Sequence, residues 1–389
     1  MCLRLATDVH WSGVKQNRAE RKRLRVVLSV LPTIPHIRLL SLHNADIDEV
    51  QQRTIFGIPS LRTLVVNSCQ FVVRVKALPP SHINALKLAY NGVRTVRHLL
   101  TTLAPTLETI KVDEYDVAVR YILQNESVVL PRLSTFIMEN THNWGHCLAV
   151  LGTPKRYRSI TTLCIRFCSC LSELRFAKPD LPALRILTSD YKLASRLIPG
   201  RPVTTYVEAR CTQRAFTRGV LLALSESRGR ITSLKLFVHH DLYSVLPSLA
   251  SSCQHLEQLT LRTSHLPSAW LWACARDHLL GRPFRGLPLT AGAVFPKLKR
   301  VTILVNYSKY RDLPPVFIYE WMLRGIVVLV CPALAWFECL DVYHTTPFDL
   351  DRPTEPNRAW KVWRRSDGSW ERQGPPPTPT HKSVLCAAP

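Results

Sequence analysis

Three cysteines lie close together in the stretch SITTLCIRFCSCL, which covers residues 159–171. Cys164, Cys168 and Cys170 carry thiols, and thiolates bind zinc or act as nucleophiles. A structural zinc site needs four converging ligands, and the spacing C-x-x-x-C-x-C offers no second pair of ligands. Whether the stretch is a metal site therefore depends on the elements that position its side chains.

The cysteine stretch is one copy of a sequence repeat. Each copy has an apolar residue, further apolar residues at +3 and +5, and Asn, Cys or a small residue at +8, as in INALKLAYN. The copies begin at residues 37, 61, 83, 107, 133, 160, 181, 203, 231, 256, 298 and 334. Up to residue 256 their spacing matches leucine-rich repeats, which are ~20–29 residues long. The copy that begins at Val203 breaks the pattern, because its +5 residue is Glu208.

The frame predicts one strand in each repeat. Positions +3 and +5 point to the same side of a strand and form the core, while the +8 side chain satisfies backbone groups at the turn. Helical spacing of apolar residues predicts helices at 21–31, 93–103, 212–225 and 242–251. We therefore predict an α/β leucine-rich-repeat solenoid, a curved parallel sheet lined by helices, with a C-terminal β-hairpin cap.

The chain divides into four predicted segments. They are a basic N-terminal segment at 1–24, the solenoid at 25–345 with an insertion at about 265–295, a cap at 346–372, and a disordered proline-rich tail at 373–389. The insertion is predicted to contain an extra helix at Ser268–Leu280. Asp367-Gly368 lies between aromatic flanks, which is typical of a hairpin turn. Such a hairpin would cover the last repeat.

With the repeats set out, the chain resembles fungal F-box-type leucine-rich-repeat proteins. The resemblance rests on IPHIRLLSLHNADI, FGIPSLRTLVVNSC, LPPSHINALKLAYN, LIPGRPVTTYVEAR and the closing hairpin with Trp363 and Trp370. It implies a receptor whose repeats hold a substrate, while an N-terminal F-box docks the adaptor of a cullin–RING ubiquitin ligase. Residues 1–36 lack the early Leu-Pro and the helices of an F-box. The resemblance therefore implies the recognition half, and the adaptor is expected only with an F-box upstream.

No catalytic, cofactor or metal motif is present in the sequence. Nucleotide-binding glycine loops, Gly-x-Ser-x-Gly and His-Glu-x-x-His are all missing. His239-His240-Asp241 and the acidic residues Asp113, Glu114 and Asp116 follow strands, so we interpret them as solvated loops. We expect a non-enzymatic protein without cofactor, and an enzyme would need a converging polar site that the sequence does not reveal.

The predicted binding surface is the concave face of the sheet. The side chains that face it at +4 are small or moderately basic, and threonine is frequent at +2. The candidate residues are Lys87, Lys111, Cys164, Arg185, Lys235 and Thr260. In this frame Cys168 stands at the turn position and Cys164 on the concave side. The two side chains therefore do not converge, which argues against a metal site, and Cys164 is predicted to be an exposed thiol.

The formal charge of +23 supports an alternative, a basic protein associated with nucleic acid or a nuclear scaffold. Basic clusters lie at residues 15–25, 282–311 and 358–372, the last interleaved with tryptophans. The first fits either a nuclear localisation patch or the polar face of a helix, and the last either base stacking or a packed cap. With no secretory signal or membrane span, we expect a cytoplasmic or nuclear protein whose 12 cysteines are reduced.

Overall fold

The computed structural model describes residues 8–12, 18–72, 78–113, 128–139, 158–165, 181–209, 216–238, 248–263, 295–305, 333–341, 361–366 and 369–373. The chain divides into two compact units. The N-terminal unit comprises Met1–Val203 with Glu226–Gly229, and the C-terminal unit comprises Thr204–Ser225 with Arg230–Pro389. No helix in the described ranges is long and apolar enough to cross a membrane.

The N-terminal unit is a parallel sheet with helices between its strands. Its elements in chain order are β1 (Asp8–Ser12), α1 (Arg18–Val30), β2 (Leu39–His43), β3 (Asp46–Ile47), α2 (Glu49–Phe56), β4 (Thr63–Asn67), β5 (Gln70–Phe71), β6 (Ala85–Ala89), α3 (Val93–Leu103), β7 (Thr109–Asp113), β8 (Thr135–Glu139), β9 (Thr162–Ile165), β10 (Ile186–Ser189) and α4 (Tyr191–Leu197). Strands β1, β2, β4 and β6 to β10 pair in this order, each parallel to the next. β3 pairs with β5 in a separate small sheet. The predicted leucine-rich-repeat fold is confirmed.

The core of this unit is built from the +3 and +5 side chains. Leu64 and Val66 of β4 lie opposite Leu86 and Leu88 of β6, and all four are buried. The equivalent residues of neighbouring strands are also buried: Leu40, Leu42, Ile110, Val112, Phe136, Met138, Leu163 and Ile165. Full burial stabilises the fold by about 1.5–3 kcal/mol for each such side chain. The apolar frame of the sequence therefore corresponds to the core.

Three strands are each followed directly by a residue with left-handed backbone conformation. Asn44, Ser68 and Tyr90 occupy position +7 of successive repeats and have φ angles of 50°, 52° and 53°. Asn enters this region readily, whereas a bulky side chain such as that of Tyr90 does so rarely. The backbone N–H of Asn44 donates to Asn67 and that of Ser68 to Ala89, each over 2.9 Å. The turns therefore extend the hydrogen bonding between repeats beyond the strands.

The +8 side chain connects each turn to the repeat before it. Asn91 accepts a hydrogen bond from the Cys69 N–H (2.9 Å) and donates one to the Val66 carbonyl (2.8 Å). Cys69 Sγ accepts from the Ala45 N–H (3.4 Å), and its single hydrogen faces the carbonyls of Leu42 (3.3 Å) and Asn67 (3.2 Å). Asn and Cys share this position because both satisfy buried backbone groups, as the sequence predicted.

A buried amide connects helix α2 to helix α3. The Gln52 side chain is fully buried, and its Nε2 donates to the carbonyls of Val72 (2.8 Å) and Ile47 (3.3 Å). Its Oε1 lies 2.7 Å from Nε2 of His98. Because the amide hydrogens are committed to carbonyls, Oε1 accepts and His98 Nε2 carries a proton. Burial lowers the pKa of His98 below its ordinary value.

One repeat of the N-terminal unit begins three residues later than predicted. In the register of β9 and β10, Leu187 lies opposite Leu163, so the repeat starts at Leu184 and not at Leu181. Ile186, which the sequence frame placed in the core, is 39% exposed. The stretch LPALRIL has leucines three residues apart, and the frame from Leu181 fits the apolar pattern better, because the frame from Leu184 places Ser189 at +5 and Lys192 at +8.

Strand β1 was not expected in the predicted N-terminal segment. Val9 and Trp11 of β1 lie opposite Leu40 and Leu42 of β2, so β1 adds a parallel strand before the first predicted repeat. Val9 and Trp11 are only partly buried. The stretch DVHWS alternates in burial as a strand does, but it is too short to fit the repeat frame.

The C-terminal unit continues the same architecture and ends in a hairpin. Its elements are β11 (Thr205–Glu208), α5 (Phe216–Ser225), β12 (Ser233–Val238), β13 (Gln258–Thr263), β14 (Arg300–Val305), β15 (Trp336–Asp341), β16 (Lys361–Ser366) and β17 (Ser369–Gln373), with residues 248–252 also helical. Strands β11 to β15 are parallel, whereas β16 pairs antiparallel with both β15 and β17. The predicted hairpin is confirmed. The predicted helix Ser268–Leu280 and the tail after residue 373 lie outside the described residues.

The repeat that begins at Val203 is genuine, so the predicted break at Glu208 is wrong. Tyr206 of β11 lies opposite Leu234 of β12, and both side chains are buried. The Glu208 side chain is fully buried at +5, where Oε2 accepts a hydrogen bond from the Phe237 N–H over 2.8 Å. A carboxylate stands in a core position here because it also binds the backbone of the next strand.

We predict that Asn91→Ala lowers the free energy of unfolding by roughly 2–4 kcal/mol, because two buried backbone groups lose their partner. Urea unfolding followed by circular dichroism measures the change. Asn84→Ala is the matched control, since the amide of Asn84 makes one exposed contact of 3.4 Å to Glu108. Equal destabilisation by the two variants would contradict the role of the +8 side chain in binding the backbone of the preceding repeat.

We predict that His98 makes stability depend on pH. Its folded pKa is lowered, so the unfolded chain binds its proton first, and the free energy of unfolding falls as pH drops below about 6.5. Urea titrations on either side of that pH should show a smaller fall in His98→Gln than in the unaltered chain. His36→Gln, at an exposed position, is the control. An unchanged pH dependence in His98→Gln would refute the prediction.

Candidate functional site

The open face of each sheet, formed by the side chains at +2, +4 and +6, carries most of the predicted binding residues. In the N-terminal unit the register aligns one +4 row across the strands: Ser41, Val65, Lys87, Lys111, Ile137, Cys164 and Thr188. Ser41 and Cys164 are buried, and the others are partly exposed. The row combines hydroxyl, aliphatic and cationic groups on a surface that the core does not use.

Two lysines lie side by side in the middle of this row. Lys87 and Lys111 are directly opposite in the register of β6 and β7, an arrangement that like charges disfavour. Lys111 Nζ forms an ion pair with Glu139 Oε2 over 2.7 Å, and the two side chains are 31% and 16% exposed. Glu139 therefore offsets part of the repulsion. The pair of lysines can present ammonium donors to an anionic or carbonyl-rich ligand.

Cys164 is not the exposed thiol that the sequence predicted. It lies on the open face of β9 as expected, but only 8% of the residue is exposed. Its neighbours in the register are Ile137 on β8 and Thr188 on β10, which flank it on both sides. Cys164 is therefore a packed residue of the surface layer.

Arg185 also departs from its predicted place. The register places Thr188, not Arg185, beside Cys164 in the +4 row, because the repeat begins at Leu184. Arg185 precedes β10, is exposed, and its backbone N–H donates to the Thr161 carbonyl over 2.8 Å. It therefore belongs to the edge of the sheet and not to the open face.

The open face of the C-terminal unit is more basic and carries an aromatic ring. Lys235 lies opposite Thr260, as predicted, and both are partly exposed. On the +2 row Arg300 lies opposite Trp336, with Cζ 5.5 Å from the centroid of the ring, the distance of a cation–π contact. The sequence analysis missed this pair, although the +2 positions of the last two repeats would have revealed it.

The described residues contain no group of three or more His, Cys, Asp or Glu that could hold a metal ion. Cys69, Cys164 and Cys253 are buried thiols. Burial raises the pKa of the Cys69 thiol to about 11 and that of Cys253 to about 12. Cys168, Cys170 and the His239–Asp241 stretch lie outside the described residues, as do Glu114 and Asp116.

We predict that Cys69, Cys164 and Cys253 resist alkylation in the folded chain. The thiolate is the reactive form, and burial both excludes the reagent and, for Cys69 and Cys253, raises the pKa. Iodoacetamide treatment at pH about 8, followed by peptide mass spectrometry, measures each site, with a guanidinium-unfolded sample as the control. Rapid modification of Cys164 in the folded protein would show that it is accessible after all.

Comparisons with known proteins reach the level of structure only. No protein-family model matches the sequence, and no curated protein is similar to it. Among solved structures, a chain of the Rad7 and Elc1 complex in yeast aligns with 12% identity and a TM-score of 0.35, over 81% of this chain and 82% of that one. A chain of the TLR13-ssRNA13 complex aligns with 14% identity and a TM-score of 0.34, over 88% and 54%. Both scores are low, so the leucine-rich-repeat fold rests on the register and burial described above.

Proposed function

We propose that this chain is a non-enzymatic recognition module that binds a protein partner on the open face of its leucine-rich-repeat sheets. The observation that carries the proposal is the contrast between the two faces. Leu86 and Leu88 of β6 are buried, whereas Lys87 between them is partly exposed. The same contrast recurs in β4, β7 and β8, where Val65, Lys111 and Ile137 are partly exposed between buried side chains, whereas Ser41 of β2 and Cys164 of β9 are buried. The middle strands of the N-terminal unit therefore present a surface that the core does not use.

The chemistry of this surface suits recognition better than catalysis. Along the +2 row of the N-terminal unit, Thr63, Thr109, Thr135 and Thr162 are partly exposed and present hydroxyl groups. Lys87, Lys111 and Lys235 add donors on flexible stems. Threonine and lysine side chains on a rigid sheet can bind a polypeptide by hydrogen bonds and charge. Ser41 Oγ lies 2.9 Å from Nε2 of His43, a pairing of a hydroxyl with a base, but Ser41 is only 2% exposed and its hydroxyl is poorly accessible to a substrate.

The finer proposal is a role like that of the substrate-binding part of an F-box/leucine-rich-repeat ubiquitin-ligase receptor. It is supported by the sequence resemblance of the repeats and the closing hairpin. In such an assembly, the repeats of this chain hold the substrate, and contact with a ligase adaptor requires an F-box in addition to the residues described. A cytoplasmic or nuclear setting fits this role.

We predict that charge reversal on the open face removes the partner. The full chain carrying Lys87→Glu, Lys111→Glu and Lys235→Glu is compared with the unaltered chain as bait in a nuclease-treated lysate, with mass spectrometry of the bound proteins. Proteins captured by the unaltered chain should fall about tenfold or more with the variant, because three attractive charges become repulsive. Nuclease treatment removes capture through nucleic acid.

The matched control is Lys22→Glu, Arg23→Glu and Arg94→Glu, which changes the net charge equally at exposed positions on helices α1 and α3. It should retain the partners. Since Lys111→Glu stands next to Glu139, a second variant with Gln at all three lysines tests the surface without new repulsion. Identical capture by every variant would refute the proposed surface, and loss of capture after nuclease treatment would favour the nucleic-acid alternative.

A further inference from the structure

A row of arginines lies along one edge of the N-terminal unit, where its strands begin. We define this strand-start edge as residues 35–38, 59–62, 81–84, 105–108, 131–134, 158–161 and 182–185, which directly precede β2, β4, β6, β7, β8, β9 and β10. Its charged residues are Arg38, Arg62, Glu108, Arg132, Arg158 and Arg185, and all are exposed. Five of the six are cationic, although nothing in the core requires a charge there.

Backbone hydrogen bonds place the seven strand-start stretches side by side and Arg38 directly next to Arg62, whereas Arg132 and Arg158 precede the bonded residues of their stretches, Ser134 and Thr161. Each repeat donates from the residue after its first apolar position to the same residue of the preceding repeat: Arg62 to Arg38 (2.9 Å), Asn84 to Arg62 (3.0 Å), Glu108 to Asn84 (2.8 Å), Ser134 to Glu108 (2.9 Å), Thr161 to Ser134 (2.9 Å) and Arg185 to Thr161 (2.8 Å). Neighbouring strands lie ~4.8 Å apart, so the edge extends over about 29 Å from β2 to β10.

The opposite edge of the same unit carries the other sign of charge. Asp46, Asp48, Glu139 and Asp190 stand at or just after the ends of strands, and their side chains are partly buried. Two of these carboxylates are paired with cations, Asp48 with Arg25 and Glu139 with Lys111, so their charges are offset locally. An excess of cations at the strand-start edge attracts an anionic ligand to that edge.

The arginine row has a gap that distinguishes between anionic ligands. Arg38 and Arg62 are separated from Arg132 by Asn84 and Glu108, and Asn84 Nδ2 lies 3.4 Å from Glu108 Oε2. A nucleic-acid backbone has a phosphate at every step and would place one against Glu108. An acidic polypeptide can place neutral residues there, because its charges need not be regular.

The strand-start edge also lacks the groups that bind nucleic-acid bases. None of its seven stretches, all of which the structure describes, contains Trp, Tyr or Phe, and single-stranded nucleic acid is typically held by stacking on aromatic rings. Arginine pairs with carboxylates through two parallel hydrogen bonds, so the row suits glutamate and aspartate side chains. Charge and composition together favour an acidic polypeptide.

We infer that the strand-start edge of the N-terminal unit is a docking edge for an acidic, extended segment of a partner protein. The inference rests on the proposed function because both take the ligand to be a protein. It differs in that it places the ligand on another surface of this chain and requires the ligand to be acidic. The gap between Arg62 and Arg132 covers three strand spacings, about 14 Å, which is about four residues of extended chain. The segment therefore carries two acidic clusters separated by a short neutral stretch.

Fluorescence anisotropy at low ionic strength tests the inference with the full chain. The probe is a fluorescein-labelled peptide in which a Gly-Ser spacer separates two clusters of glutamate, and a labelled DNA duplex and a labelled single strand are the comparisons. Arg38→Glu, Arg62→Glu and Arg132→Glu together should weaken peptide binding about tenfold or more. The control Lys22→Glu, Arg23→Glu and Arg94→Glu, with the same change in net charge, should leave it within about twofold.

Three results would overturn the inference: no peptide binding by the unaltered chain, equal weakening by edge and control variants, or an edge variant that weakens DNA binding only. Arg62 donates to the carbonyls of Pro59 (2.8 Å) and Leu61 (3.1 Å). Arg→Lys substitutions at the same three positions keep the charge but lose the guanidinium bonds, so they separate charge from folding. If the lysate partners are lost with the open-face variant but retained with the edge variant, the proposed function stands and this inference fails.

Discussion

The structure depends on one constraint, namely that no repeat can bury its own apolar side chains. Leu64 and Val66 project from the same side of a five-residue strand and are covered because Leu86 and Leu88 stand beside them in register. The parallel pairing of neighbouring strands therefore holds the repeats together and also brings together the side chains that form the core. The +8 ladder of Cys69 and Asn91 maintains that register where the strands end, since each side chain binds the backbone of the repeat before it.

The fold could be predicted from the sequence because this constraint makes the buried apolar positions recur at a regular spacing. Leu86, Leu88 and Asn91 reveal strand, core side and turn together, and Asp367-Gly368 reveals the hairpin. The prediction failed where the spacing of the apolar residues is ambiguous. Leucines at 181, 184 and 187 permit two frames, and the correct one has Ser189 at a core position. Glu208 was taken for a break because a frame of apolar residues does not anticipate a carboxylate that binds the next strand.

The candidate surfaces were less predictable, because surface properties depend on neighbours in space. The +4 frame contains both Lys87 and Lys111, which the register places opposite each other, but it did not reveal that Cys164 is buried. The arginines of the strand-start edge are one to three repeats apart in sequence, so a search for contiguous basic clusters does not find them. The pairing of Arg300 with Trp336 was missed for the same reason, although Arg300 itself lies in the basic cluster 282–311. Parallel register converts a regular spacing along the chain into a row in space.

The connection between β13 and β14 has a consequence for how such a chain can vary. The repeats that begin at Leu256 and Leu298 are much farther apart in sequence than their predecessors, yet Leu259 and Val301 pair in the same register as the strands before them. The entropy of closing a loop grows only slowly with its length, by about 0.6 kcal/mol for each doubling. Connections between strands can therefore gain or lose residues almost independently of the sheet. An insertion in such a connection can add a new surface while the existing strands keep their register. The solenoid therefore tolerates insertions between its repeats.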